Sequence, residues 1–319
     1  MSLDLGSVDL SGTAPVDLAA LPAIRADVEV VVPEPAEVAE GPLWHEGTIW
    51  WCDITAGRLH RLDEHGQAQT VVRASWYLSA LRPAVGGGLV VAADDGVYRL
   101  GPDSTAPDSA APDGAGLGGP GLGESLGSPG NLPGRFNDAA VAPDGSLWLG
   151  AISGEDREGM VLRATVDGDR FVFTEAVSGV RLPNGIGFSA DGSEMLLIDS
   201  FRYAIYACVV AGGTVVSARP WVRFDPDSGV LPDGWCQDAE SCWWLAIWGG
   251  RCVVRLSPDG EPLGRLDLPV QNPTCTAFGP VGGNQLWVTT EGQVAGDPAL
   301  LRVRVEETGA PVAQAQVPG

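Results

Sequence analysis

Apolar residues fall in short runs broken by turns rich in Gly, Pro and Asp. Six such runs stand directly after a turn: "TIWWCD" (48–53), "LVVAAD" (89–94), "SLWLGA" (146–151), "SEMLLID" (193–199), "CWWLA" (242–246) and "NQLWVT" (284–289). Each is followed by a second strand-like run, among them "RLHRL" (58–62), "GVYRL" (96–100) and "RCVVRL" (251–256), and preceded by a third, such as "NDAAVA" (137–142) or "NGIGFS" (184–189). Runs this short, bounded by turn residues, read as strands, and the missing helical periodicity removes βαβ architectures. Three or four strands repeated six times, at roughly 40–55 residues per unit, match the spacing of propeller blades. The pattern therefore predicts an all-β chain folded as a six-bladed β-propeller. Residues 28–305 make the propeller, with "VEVVV" (28–32) as the outer strand of the last blade, closing the ring. Residues 1–27 are expected to form a partly flexible extension and 306–319 a flexible tail.

Residues 101–134 break the rhythm with a Gly/Pro/Ser-rich insertion that cannot build a core and is expected to be a mobile loop. Two well-known motifs fall inside it by composition alone. "GAGLGG" (114–119) fits a dinucleotide loop but has no strand before it and no helix after it. "GESLG" (123–127), with Ser125, fits a nucleophile elbow but lacks the strand-to-helix turn that motif needs.

Charge narrows the function classes. The net charge is −22, and all 19 basic residues are arginine. A chain without lysine has no Schiff-base chemistry and no lysine-bearing phosphate loop. Its acidic surface repels nucleic acid and anionic lipid and suits cations. The first 30 residues show no basic n-region with an apolar stretch, so a cytoplasmic location is expected, with no membrane partner and a monomer or weak homo-oligomer as the assembly. Six scattered cysteines without a CxxC spacing argue against a zinc site.

In a propeller the first strand of each blade lines the central channel, and the starts of those strands converge at one mouth. Counting back eight residues from the turn gives Asn137 (from Gly145), Asn184 (from Gly192) and Asp233 (from Ser241). Glu40, seven before Gly47, is the counterpart in blade one. Polar groups at the dry end of an inner strand are costly unless bonded or coordinated, so four at one register imply a shared cation. The donors are all oxygens, which favours one hard divalent ion, Ca²⁺ first and then Mg²⁺, and admits Mn²⁺, Zn²⁺ or Fe²⁺. The competing explanation is turn chemistry, because Asn-Gly and Asp-Gly are common turn pairs.

"AEGPLW" (39–44), "WCDI" (51–54), "RFNDAAVAPDG" (135–145), "PNGIGFSADG" (183–192), "IDS" (198–200), "PDGW" (232–235) and "GGRCVVRLSPDG" (249–260) together resemble the SMP-30/gluconolactonase/regucalcin-like family, over about residues 37–305. The resemblance implies a six-bladed propeller with one divalent cation in the channel and hydrolysis of a sugar lactone or a related small lactone. It matches Glu40, Asn184 and Asp233 to metal ligands, with Asp233 also the catalytic base. Arg135, Asn137 and Glu155 match contacts to substrate hydroxyls, and Asp199 lies in a supporting position. The family's Gly-Lys after "FND" is Ala139-Ala140 here. Trp235, beside Asp233, and Tyr77, ahead of the second blade's inner strand, are candidate pocket walls, and Asp138 is expected to face the neighbouring blade because strand residues alternate. A phosphotriesterase-like hydrolase, a non-catalytic Ca²⁺- or ligand-binding propeller, and a pathway enzyme reusing the site on a lactone-like product are the alternatives.

Overall fold

Each apolar run becomes a strand, and within a blade the polar breaks are turns that pair a strand with its sequence neighbour, Leu3–Asp4 and Asp27–Val32 excepted. The computed structural model describes residues 2–94, 96–101, 122–130, 132, 134–153, 158–293 and 295–319. Its six sheets are the six blades of a β-propeller. The inner strands are Ala39–His45, Leu78–Pro83, Gly134–Val141, Pro183–Phe188, Leu231–Gln237 and Pro273–Phe278. The hairpins that follow them carry residues at positive φ, including Gly47 (83°), Gly145 (82°), Gly192 (71°), Ser241 (64°) and Gly282 (70°). The first four of these are the turn positions that set the inner-strand register in the sequence.

The ring closes as the sequence predicts. Asp27–Val32 pairs antiparallel with Leu300–Arg304 as the outer strand of blade six. Large side chains on the second strands fill the gaps between blades: Trp51, Trp148 and Trp244 are each at most 1% exposed. Trp44 of blade one stacks on Trp287 of blade six at 6.1 Å, across the closure.

Three expectations change. The N-terminal extension runs along the outer edges of blades three, four and five, pairing Leu3 with Val177, Pro15 with Arg223 and Ala23 with Arg265. Outer strands present unpaired amides and carbonyls, and this segment satisfies them. The C-terminal tail crosses the turn face, where Ala310 N–H donates to Gln237 O, Ala315 N–H to Pro83 O and Gln316 N–H to Gly145 O. Part of the insertion belongs to a blade, since Ser125–Gly127 is the outer strand of blade two. Ser125 therefore sits on a strand edge, away from the channel, while "GAGLGG" lies outside the described residues.

His60 is stacked on Trp51 at 5.2 Å with ring planes 12° apart. Burial, with Arg58 and Arg73 nearby, pushes its pKa down to about 4. A depressed pKa means the unfolded chain takes up the proton first. This contribution is complete above the unfolded value of about 6.5 and is lost as pH falls towards 4, up to about 3 kcal/mol in all. Thermal melts from pH 7.5 to 4 should fall less steeply for His60→Phe, which keeps the stack, than for the wild type; parallel curves would refute the assignment.

Candidate functional site

The alternation of each inner strand is broken near its start. Pairing with the second strand skips Ser79, Asn137, Gly185, Asp233-Gly234, Thr274 and, in blade one, Gly41-Pro42. Such a bulge re-aims side chains and bends the strand. It produces a ring of six residues at one register: Glu40, Ser79, Asn137, Asn184, Asp233 and Thr274.

The glycines beside this ring are there for space. Gly185 and Gly234 do not have positive φ. A Cβ on Gly185 would lie 2.5 Å from Ile198 Cδ1 and 2.9 Å from Trp235 Cδ1 of the next inner strand, and one on Gly234 would lie 2.4 Å from Cys275 Sγ. The Asn-Gly and Asp-Gly pairs thus mark close approach of inner strands around the axis, not turns.

A cavity of about 270 Å³ opens above the ring. Its lining includes Glu40, Arg135, Asn137, Asn184, Asp233, Thr274, Trp248 and Glu291. A hydrogen-bond chain ties three blades together beneath it. Arg135 Nη1 donates to Asn137 Oδ1 (2.9 Å), Asn137 Nδ2 to Asn184 Oδ1 (3.0 Å), Asn184 Nδ2 to Ser200 Oγ (3.0 Å) and Ser200 Oγ to Pro232 O (2.6 Å). Asn184 Oδ1 accepts one bond in this chain, and a carbonyl oxygen has capacity for a second.

The carboxylates are arranged differently. Glu40 Oε2 accepts from Gly41 N–H at 2.8 Å, and Asp233 Oδ1 is buried with no hydrogen-bond partner among the described residues. Burial pushes the Glu40 carboxyl up to about 8, with Asp138 adding to the rise. Burial also holds Asp233 well above the usual carboxylate range, and Glu40 and Asp138 reinforce it. Three carboxyl groups therefore share one dry channel, and among the described residues only Asp138 has an ion-pair partner, Arg82 at 3.1 Å. An orphaned buried oxygen, surplus negative charge and an all-oxygen donor set fit a hard divalent cation held by Glu40, Asn184 and Asp233.

The remaining candidates fall in different places. Arg135 lies over the Tyr77 ring at 5.4 Å, so Tyr77 reaches the site through Arg135 and does not line the cavity. Asp199 is fully buried and accepts from the Arg181 and Leu182 amides, fixing the loop that delivers Asn184. Trp235 packs on Trp243 at 4.4 Å and lines a separate cavity of about 440 Å³ at the turn end of the channel, which Ala310–Ala313 of the tail cover. Asp138 does meet the neighbouring blade through Arg82, yet the bulge at Asn137 keeps it in the channel, close enough to raise both Glu40 and Asp233. Glu155 lies outside the described residues.

Four site residues were not anticipated. Ser79 and Thr274 answer to the same eight-residue count, from Gly87 and Gly282, and were within reach of it. Thr274 Oγ1 donates to Ala39 O at 2.6 Å, joining blade six to the strand that carries Glu40. Arg82 carried no sequence signal beyond its strand. Glu291 follows the end of the second strand Gln285–Thr290, on a tier just outside the ring that also holds Ile54, Ser200 and Trp248. Elsewhere among the described residues, Asp238, Glu240 and Cys242 cluster at the turn end of blade five. There Asp238 accepts from Arg255, from Trp244 and from two backbone amides, so its oxygens are already engaged.

The fold and this ring of oxygen donors define a six-bladed propeller with a polar channel mouth. The chain belongs to the SMP-30/gluconolactonase/LRE-like family, whose family model matches residues 38–292. It is 31% identical over 297 residues to the pentonolactonase XacC of Haloferax volcanii, covering 88% of this chain and 95% of that one. It is 32% identical over 270 residues to the 6-deoxy-6-sulfogluconolactonase of Pseudomonas putida, covering 82% and 86%. The fold is shared with the calcium-binding protein regucalcin of Agrobacterium tumefaciens (TM-score 0.76, 23% identity, 93% and 99% covered). Lactone-hydrolysing relatives of this kind support an enzyme acting on a small lactone. Among the described residues, no helix is long and apolar enough to cross a membrane.

Proposed function

We propose that the chain is a divalent-metal-dependent hydrolase of carboxylic esters that opens a sugar lactone or a related small lactone. The observation that carries this reading is the buried, partnerless Asp233 Oδ1 beside Glu40 and Asn184, at the floor of a cavity that also presents Arg135 and Asn137. Named lactonases among its relatives agree with it. A cation held by Glu40, Asn184 and Asp233, Ca²⁺ first among the candidates, would supply Lewis-acid polarisation of the lactone carbonyl.

The chain's own residues account for the proton and for orientation. Asp233, kept basic by its dry, like-charged surroundings, accepts the proton of the attacking water as its oxygen bonds to the carbonyl carbon. The ring C–O bond then breaks, and Asp233 returns the proton to the departing alkoxide, leaving a hydroxy acid. Arg135 donates to ring hydroxyls. Asn137, its amide fixed between Arg135 and Asn184, holds that guanidinium in register with the reacting end. Glu155 is assigned by the motif to a further hydroxyl contact. Trp248 and Ile54 form apolar wall that limits water.

The test is a panel of aldonolactones followed by proton release, after EDTA treatment and then with Ca²⁺, Mg²⁺, Mn²⁺, Zn²⁺ and Fe²⁺ restored one at a time. Turnover that is lost with EDTA and recovered with a metal is expected. Turnover of phosphotriesters in preference to every lactone would move the assignment to that chemistry. No turnover of either class would favour a binding protein.

A further inference from the structure

The two walls of the cavity differ in sign. Arg135 and Asn137 come from blade three, and Glu291 and Thr274 come from blade six, three blades round the ring and so on the opposite wall. Glu291 is only 7% exposed, and its position is fixed twice. Its backbone N–H donates to Asn272 O at 2.9 Å, and its Oε2 accepts from Asn272 Nδ2 at 2.7 Å.

Blade six departs from blades one and four in how its entry loop is capped. Asp53 and Asp199, at the ends of the second strands, accept from the amides just ahead of those inner strands, at Glu37-Val38 and Arg181-Leu182. The corresponding position in blade six is Thr290, and the amides of Gln271 and Asn272 are taken by Asp297. The residue one further on occupies the same tier in each of these blades, Ile54, Ser200 and Glu291, and in blade six it is a carboxylate in the cavity wall.

Among the described residues, the cavity lining then carries three carboxylates, Glu40, Asp233 and Glu291, against one guanidinium, Arg135. Arg135 is also under the attraction of Asp94 and Glu40. A divalent cation would balance Glu40 and Asp233. On the blade-six wall the described lining holds no cationic side chain, so an anionic substituent placed there meets the Glu291 carboxylate. Hydroxyl groups, in contrast, find donors on one wall and a carboxylate acceptor on the other.

We propose that Glu291 is a specificity-determining residue that makes the cavity select neutral, polyhydroxylated lactones over lactones bearing a second acidic group. The proposal rests on the lactonase reading for its substrate class, but its test does not need turnover. A carboxylate accepting from a sugar hydroxyl forms a charge-assisted hydrogen bond. The same carboxylate facing a second anion across a few ångströms in a partly dry site opposes binding, and this type of juxtaposition serves specificity more than affinity.

The experiment is calorimetric binding to the cation-restored protein. The ligands are two lactams that resist hydrolysis, a neutral hydroxylated aldonolactam and its carboxylate-bearing counterpart. The wild type should bind the neutral lactam at least about tenfold more tightly, from a like-charge penalty of the size expected at intermediate dielectric. Glu291→Gln keeps a carbonyl that can accept from Asn272. It should weaken the neutral lactam about threefold and tighten the carboxylated one, narrowing the ratio about tenfold. Equal affinities in the wild type, or a ratio unchanged in Glu291→Gln, would overturn the proposal, and the wild-type measurement decides even if the variant does not fold. Lactam selectivity without hydrolysis of any lactone would sink the enzymatic reading and leave this one standing. Hydrolysis without the selectivity would do the reverse.

Discussion

Asp233→Asn is expected to lower kcat/KM for lactone hydrolysis by about 10³-fold, within the range that a positioned general base contributes. Asn keeps the size of the side chain and one oxygen donor but cannot take a proton. Loss of cation affinity would also reduce activity, so the two effects must be separated. The measurement is proton release as a function of cation concentration, up to saturation. If saturating cation restores near-wild-type rates, Asp233 is a ligand only and the base lies elsewhere. The same variant should be more stable than the wild type when no cation is bound. Burial and the neighbouring Glu40 and Asp138 raise the Asp233 pKa, so at intermediate pH the folded state holds a proton that the unfolded state has lost. Stability from that group therefore falls as pH rises above the ordinary carboxylate pKa. Asn has nothing to titrate. In EDTA, the Tm of Asp233→Asn should exceed that of the wild type by more at pH 9 than at pH 6. Activity and stability then move in opposite directions at one residue, as expected where a site keeps charges that the fold alone would reject.

The architecture was legible because propeller strands are short, local and separated by turns that require particular residues. Counting from Gly145, Gly192 and Ser241 reached Asn137, Asn184 and Asp233 without any knowledge of the bulges that bring them together. The bulges themselves were not legible, because a two-residue periodicity assumes an unbroken pleat. That is why Asp138 was expected to leave the channel and stays in it. Trp235 was expected near Asp233 from adjacency in sequence, yet the interposed Gly234 sends it to the turn-end cavity. Glu291 escaped notice because it follows the end of a second strand, and only the placed loops show that this position borders the cavity, as Ile54 does in blade one. The terminal segments read as flexible because they lack periodicity. In the fold they bond to backbone groups on blade edges and turns that need partners.

Asp238→Ala should be the most damaging single substitution away from the channel mouth. Like Asp233, Asp238 is a buried aspartate of blade five, but it sits at the turn that follows the inner strand, 1% exposed. Unlike Asp233, it is saturated with donors: the Glu240 and Cys242 amides at 2.9 Å, Trp244 Nε1 at 3.0 Å, and Arg255 through Nε at 3.0 Å and Nη2 at 2.8 Å. Arg255 is itself largely buried, lies over Trp244 at 5.7 Å, and reaches Glu307 of the tail at 3.1 Å. Removing the carboxylate leaves a buried guanidinium short of its main partner and an indole N–H and two amides with none. Breaking a buried pair in this way costs about 3–5 kcal/mol. For a domain of this size that corresponds to a fall in Tm of roughly 10 °C. Asp238→Asn, which can still accept from the amides, should fall about half as far. Because Gly309 pairs with Asp238 and Glu307 with Arg255, the tail should also become more sensitive to limited proteolysis in both variants. Cation binding per folded molecule should be unchanged, since the network sits at the turn end of blade five. A Tm within 2 °C of the wild type for Asp238→Ala would show that the network is replaceable by water. What separates the two aspartates is their supply of donors: Asp238 has both oxygens met within the fold, whereas Asp233 keeps Oδ1 unmet among the described residues, which is why the proposed cation is assigned to Asp233.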